Sequence, residues 1–116
     1  MVKNMKSVTE QLEPVKKALL SVTDNVGLME ANDATKSHIV YMPDSEADSI
    51  HADDRKDQQV IQGSIDLYVL PGDMKMFDKV QEALDEAGVS FRFSSSQYED
   101  LELNDFIHYE WIFEVS

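Results

Sequence analysis

The sequence predicts an α+β domain of element order α-β-β-α-β-β. It has a four-stranded, mainly antiparallel sheet and two helices packed on one face. Three observations lead there: two segments repeat apolar residues at helical spacing, three alternate at the period of two of an extended chain, and one strand runs straight into the second helix. That junction, Gln59 to Gly88, organises the rest. Ile61, Ile65, Leu67 and Val69 share one face of an extended segment, and Gln62, Ser64, Asp66 and Tyr68 share the other. Pro71-Gly72-Asp73 then signals a turn, with Asp73 placed to cap a helix. Phe77, Val80, Leu84 and Ala87 follow the helical period, and Gly88 closes it.

The remaining elements follow in chain order. Met1 to Lys6 reads as a loose terminus. Ser7, with Glu10 three residues on, has the form of a capping box, and Val8, Leu12, Val15, Leu19 and Val22 make one stripe behind it. Pro14 lies inside that stripe and predicts a kink near Glu13, or a helix whose main body starts at Pro14. Lys16 and Lys17 fall off the stripe, toward water. Thr23 to Lys36 is a turn-rich connection, and Ser37 to Met42 a short strand ended by Pro43. Pro43 to Gln58 carries six aspartates and glutamates against Arg55 and Lys56 and is expected to be a long, acidic, mobile loop. Val89 to Phe93 alternates again, Ser94 to Gln97 is loop-like, and Tyr98 to Asp105 is an acidic connection. Phe106 to Val115 closes the chain, with Ile107, Tyr109, Trp111, Phe113 and Val115 on the core face of what reads as a central strand. The crossover helix makes strands two and three parallel in direction, so the order 1-2-4-3 renders every neighbouring pair antiparallel.

Composition narrows the function classes. At 116 residues the chain is of single-domain length, enough to bury roughly 65% of its unfolded surface without staples. There are no cysteines, so disulfides and thiolate metal sites are excluded. No apolar run reaches the ~18 residues of a membrane span, and no secretory leader is expected at the N-terminus. The net charge of -13 repels nucleic acid and anionic lipid, and suits solubility or a basic partner surface.

Catalytic and metal-binding patterns are not found. His38, His51 and His108 have no ligand at a recognised metal spacing, and His38 and His108 read as surface or hydrogen-bonded strand residues. The aspartates of the 43–58 segment lack the glycine and rhythm of a calcium loop. Ser94, Ser95 and Ser96 lack a nucleophile-elbow context, and four glycines leave no phosphate-binding loop. No enzyme, cofactor or metal site is expected. Tyr41, Met42 and Ile50 are apolar residues that no strand-to-helix packing claims, which makes them candidate interface residues.

Several segments together resemble the tail-terminator, or tail-completion, proteins of long-tailed bacteriophages. They are the early helix, Tyr41 on the first strand, the Ala52-Asp53-Asp54 acidic loop, and Gly63-Ser64-Ile65-Asp66-Leu67-Tyr68. The likeness continues through Asp73, the helix Phe77 to Leu84, Gly88-Val89, Tyr98-Glu99-Asp100 and the closing His108 to Phe113 strand. It covers roughly Ser37 to Val115; Pro14 and the Thr23–Lys36 connection are less typical. The resemblance implies a non-enzymatic virion protein, made in the host cytoplasm. Such a protein assembles as a ring, often of six subunits, on the tail tube, ends its growth and receives the head connector. Its partners would be its own copies, the tube protein and the connector, with no direct nucleic-acid or membrane binding. The interface set becomes Tyr41, Met42, Ile50, Asp53, Asp54, Arg55, Tyr68, Tyr98, Glu99 and Asp100, with the 43–58 loop ordering on assembly. The residues alone leave a second class open: a stand-alone acidic module that occupies a basic site on a partner protein.

Overall fold

The computed structural model describes residues 6–47, 59–100 and 105–116. Expectations for the loose terminus before Lys6, for residues 48–58 of the acidic loop and for residues 101–104 of the acidic connection therefore lie outside the described residues. The elements are α1 (Val8–Leu20), β1 (Val26–Leu28), β2 (His38–Glu46), β3 (Ile61–Val69), α2 (Lys75–Glu86), β4 (Ser90–Asp100) and β5 (Asp105–Val115). They form one five-stranded mixed sheet of order β1-β2-β3-β5-β4. The four long strands are antiparallel throughout and take the order expected of them. The four-strand count is corrected by β1, a three-residue strand lying parallel to the start of β2.

That extra strand is made by one asparagine. Asn25 donates its side-chain amide to the carbonyls of Asp33 and Ser37 at 3.0 and 2.9 Å, and its Oδ1 accepts from Asp33 N–H at 2.9 Å. The 29–37 connection is thereby folded back, and Val26, Gly27 and Leu28 come to lie against Ile39, Val40 and Tyr41. A strand of three residues with a central glycine leaves no alternation to read.

The capping box at Ser7 forms on both sides: Ser7 Oγ accepts from Glu10 N–H at 3.1 Å, and the Glu10 carboxylate accepts from Ser7 N–H at 3.3 Å. The helix continues through Pro14 as one element. Pro14 and Glu10 are both exposed, so water can take the Glu10 carbonyl that a proline cannot serve. Asp73 accepts from Lys75 N–H at 3.1 Å at the start of α2. Its other end is a Schellman closure, with Gly88 N–H on the Asp85 carbonyl and Val89 N–H on the Leu84 carbonyl, each at 3.0 Å. Gly88 holds the φ of +71° this motif needs.

Two strands are longer than expected. β2 runs on through Pro43 to Glu46, with an irregularity between Pro43 and Ser45. Proline is tolerated there because β1 pairs only with Ile39–Tyr41, which leaves that side of β2 unpaired beyond Tyr41. β4 passes through a bulge between Phe93 and Ser95 and continues to Asp100. Pairing with β5 overrides the weak strand preference of the Ser94–Gln97 run.

Both helices lie on one sheet face. Leu12, Val15, Ala18 and Leu19 of α1, and Val80 and Leu84 of α2, join Ile39, Tyr41, Ile65, Leu67, Trp111 and Phe113 in a single core. Trp111 is fully buried, and its indole N–H donates to Gln81 Oε1 at 3.0 Å. Gln11, also buried, donates its amide to the Gln59 carbonyl at 2.6 Å and ties α1 to the approach of β3.

Two glycines give a contrast that can be measured. A Cβ on Gly63 would strike the Met42 carbonyl oxygen and sit 2.5 Å from the Phe113 ring, whereas at Gly88 nothing lies within 4 Å. Gly63→Ala is expected to destabilise by about 3 kcal/mol through overpacking. Gly88→Ala is expected to lose about 1 kcal/mol through its left-handed backbone alone. Urea unfolding midpoints of the two variants check the ranking.

Candidate functional site

The sheet face opposite the helices carries an uncommon polar cluster. Alternation puts His38, Val40 and Met42 of β2 there, with Ser64, Asp66 and Tyr68 of β3, Phe106, His108, Glu110 and Ile112 of β5, and Gln97 and Glu99 of β4. Register then brings some of them together: Tyr68 lies opposite His38 on one side and His108 on the other. The Tyr68 ring stacks on both, with centroids 4.6 Å from His38 and 4.3 Å from His108 and interplanar angles of 11° and 15°. Phe106, fully buried, meets His38 and Tyr68 edge-on.

His108 is gripped from both ends. Its Nε2 lies 2.6 Å from Asp66 Oδ1 and its Nδ1 lies 2.8 Å from Glu99 Oε1. The His108 and Asp66 side chains are each 15% exposed and Glu99 is 29% exposed, so water is a weak competitor for these bonds. An ionised carboxylate only accepts, so both contacts are hydrogen bonds when the ring is protonated and carries two N–H groups. The hydrogen bond to Asp66 raises the His108 pKa above its ordinary 6.5; burial opposes this, and Glu99 reinforces it. In that form no lone pair is left to take a proton or bind a metal. This grouping is a charged tie between β3, β5 and β4.

His38 is fixed differently. Its Nδ1 is 2.7 Å from the Lys36 carbonyl, which makes that nitrogen the donor. The Tyr68 phenol is pushed up to about 12, first by burial and then by Asp66, Glu99 and Glu110. Burial likewise raises the Tyr41 phenol, with a smaller contribution from Glu13.

The expected interface residues scatter. Tyr68 and Glu99 meet His108, and half-buried Met42 lies along the same face opposite Ser64. Tyr41 is corrected: it is 5% exposed on the helix face, part of the core beneath α1. Tyr98 stands 60% exposed on β4 opposite Ile107, also on the helix side. Asp100 pairs with Asp105 at the end of the hairpin. Ile50, Asp53, Asp54 and Arg55 lie outside the described residues. The residues missed are His38, Asp66, Phe106 and His108. The signal that finds them is the predicted strand order itself, which sets Tyr68 between two histidines once the register is drawn.

Among the described residues no three histidine, aspartate or glutamate side chains gather where they could hold a metal ion. Among the same residues no helix is long and apolar enough to cross a membrane. No protein-family model matches the chain, and no curated protein matches it.

The raised Tyr68 phenol has a consequence at alkaline pH. Folding favours its neutral form, so that contribution is complete below 10 and lost as pH rises from 10 to about 12. Allowing for solvent screening, it amounts to about 1 kcal/mol. Tyr68→Phe keeps the stack and is expected to unfold with a smaller loss of stability over that interval, as measured by urea midpoints on each side of it.

Proposed function

We propose that the protein is a structural subunit of a long-tailed phage virion, a tail-completion protein that closes the tail tube as a ring and receives the head connector. It acts without catalysis, by surface complementarity, and its partners are its own copies, the tube protein and the connector. It is made in the host cytoplasm and ends in the virion. The resemblance over Ser37–Val115 brings the family into view, and the observation that carries the reading is a pair of unlike sheet edges.

Among the described residues β1 ends the sheet on one side and β4 on the other. The β1 edge is short and bears exposed Leu28 and Met29, 47% and 60% exposed, beside a shallow groove lined by Thr9, Leu12, Lys16 and Tyr41. The β4 edge is eleven residues long and bears Phe93 and Tyr98, 45% and 60% exposed. Each edge can pair with its own copy across a two-fold, and two unlike edges can also pair with each other. The latter contacts are head-to-tail, and close into rings when the rotation per subunit allows. A net charge of -13 on each subunit would keep the lumen of such a ring from holding DNA phosphates.

The test is a tube-length assay by electron microscopy with the tail-tube protein of the same phage. Substoichiometric wild-type protein is expected to shorten the tubes and leave added density at one end. Tyr98→Glu, with an unchanged unfolding midpoint, is expected to lose the effect. Tubes of unchanged length with wild-type protein at one end's worth and above would refute the reading.

A further inference from the structure

We propose that the far end of the β4–β5 hairpin is held by a proton-gated latch, in which His108 bridges Asp66 and Glu99 only while its ring carries both N–H groups. The geometry carries it. Two acceptor-only groups from two different strands, 2.6 and 2.8 Å away, claim the two nitrogens of one ring. A neutral imidazole has a single N–H. On losing its proton the ring must turn a lone pair toward one carboxylate, and a favourable contact becomes repulsion between two acceptors.

The groups facing His108 are few and agree in sign. From β3 come Asp66 and the Tyr68 ring, whose face favours a cation. From β4 come Glu99 and the neutral Gln97 opposite. From β5 itself comes Glu110, across from Asp66, and from β2 comes His38, on the far side of the Tyr68 ring. Two carboxylates and the Tyr68 face contact the ring directly, and His38 stacks on the same Tyr68 ring.

The bond that opens is the one to Glu99. Asp66 sits on a central strand with the shorter contact, whereas Glu99 sits on the edge strand, is twice as exposed and can turn to water. Its release removes the side-chain tie from Glu99 of β4 to His108 of β5, while the backbone ladder to β5 remains. The direction follows from linkage. The folded-state pKa lies above the ordinary 6.5, so the latch is fully closed below 6.5 and opens as pH rises through that raised value. This inference does not depend on the proposed virion role, because it concerns the folded chain by itself.

The experiment is nitrogen-edited NMR of the histidine rings of the full chain, followed from about pH 5 to about pH 10, with amide exchange measured on the same sample. The His108 ring is expected to show two protonated nitrogens at neutral pH and a midpoint above 6.5. After correction for intrinsic rates, exchange at Gln97–Glu99 is expected to quicken about tenfold across that midpoint, the equivalent of one charge-assisted hydrogen bond. In Glu99→Gln the midpoint is expected to fall and the pH-dependent step in exchange to vanish, with wild-type strand chemical shifts retained. A ring that is neutral at neutral pH, a midpoint at or below 6.5, or exchange that does not change across the titration would each overturn the latch.

Discussion

The pairing of β3 with β5 is the constraint on which the rest depends. Nine consecutive residue pairs, Ile61 with Val115 through Val69 with Ile107, join a strand from the middle of the chain to its last. Neither the β2–β3 nor the β4–β5 hairpin could bury a face alone, since two-stranded units are marginal in water. Joined along this ladder they give one surface, where Ile65, Leu67, Trp111 and Phe113 are fully buried beneath both helices. Gly63 sits in the same ladder opposite Phe113, where the aromatic ring and the β2 backbone occupy the space a side chain would need. The two halves of the sheet are thus brought into contact by shape.

The same ladder organises the opposite face with different chemistry. Because strands alternate, every residue that fixes the core register also fixes its neighbour on the other side. Trp111 and Tyr109 inward put His108 outward, beside Tyr68 and within reach of Asp66. The two carboxylates on its ring nitrogens favour the protonated form of His108. The stacked rings of His38, Tyr68 and His108 then cover a strip of sheet that no helix covers among the described residues. The edges of the sheet differ in length and in side chains, and the assembly reading rests on that difference.

Much of the fold was legible because local signals and pairing agreed. The capping box at Ser7, the Gly88 closure of α2, the alternation of β3 and β5 and the order of the four long strands all follow from spacing alone. What was not legible depended on partners distant in sequence. β1 exists because Asn25 folds back the 29–37 connection, and three residues carry no period. β4 continues through Ser94–Gln97 because β5 offers it a ladder, although serine has little preference for strands. Tyr41 read as an interface candidate because no strand-to-helix packing in the sequence claimed it, yet it lies in the core with Leu12 and Val15 of α1. The polar cluster was hidden for the opposite reason. His108, Asp66 and Glu99 are each unremarkable in sequence, and only register makes them one group.

The central claim is that these unlike edges make the chain a subunit that adds to its own kind. Sedimentation of the purified protein over a range of concentration and salt tests it most directly, because salt screens the -13 charge that opposes association. The account predicts a discrete multimer that grows at the expense of the 13.2 kDa monomer as salt rises. A monomer at every concentration and every salt would contradict it.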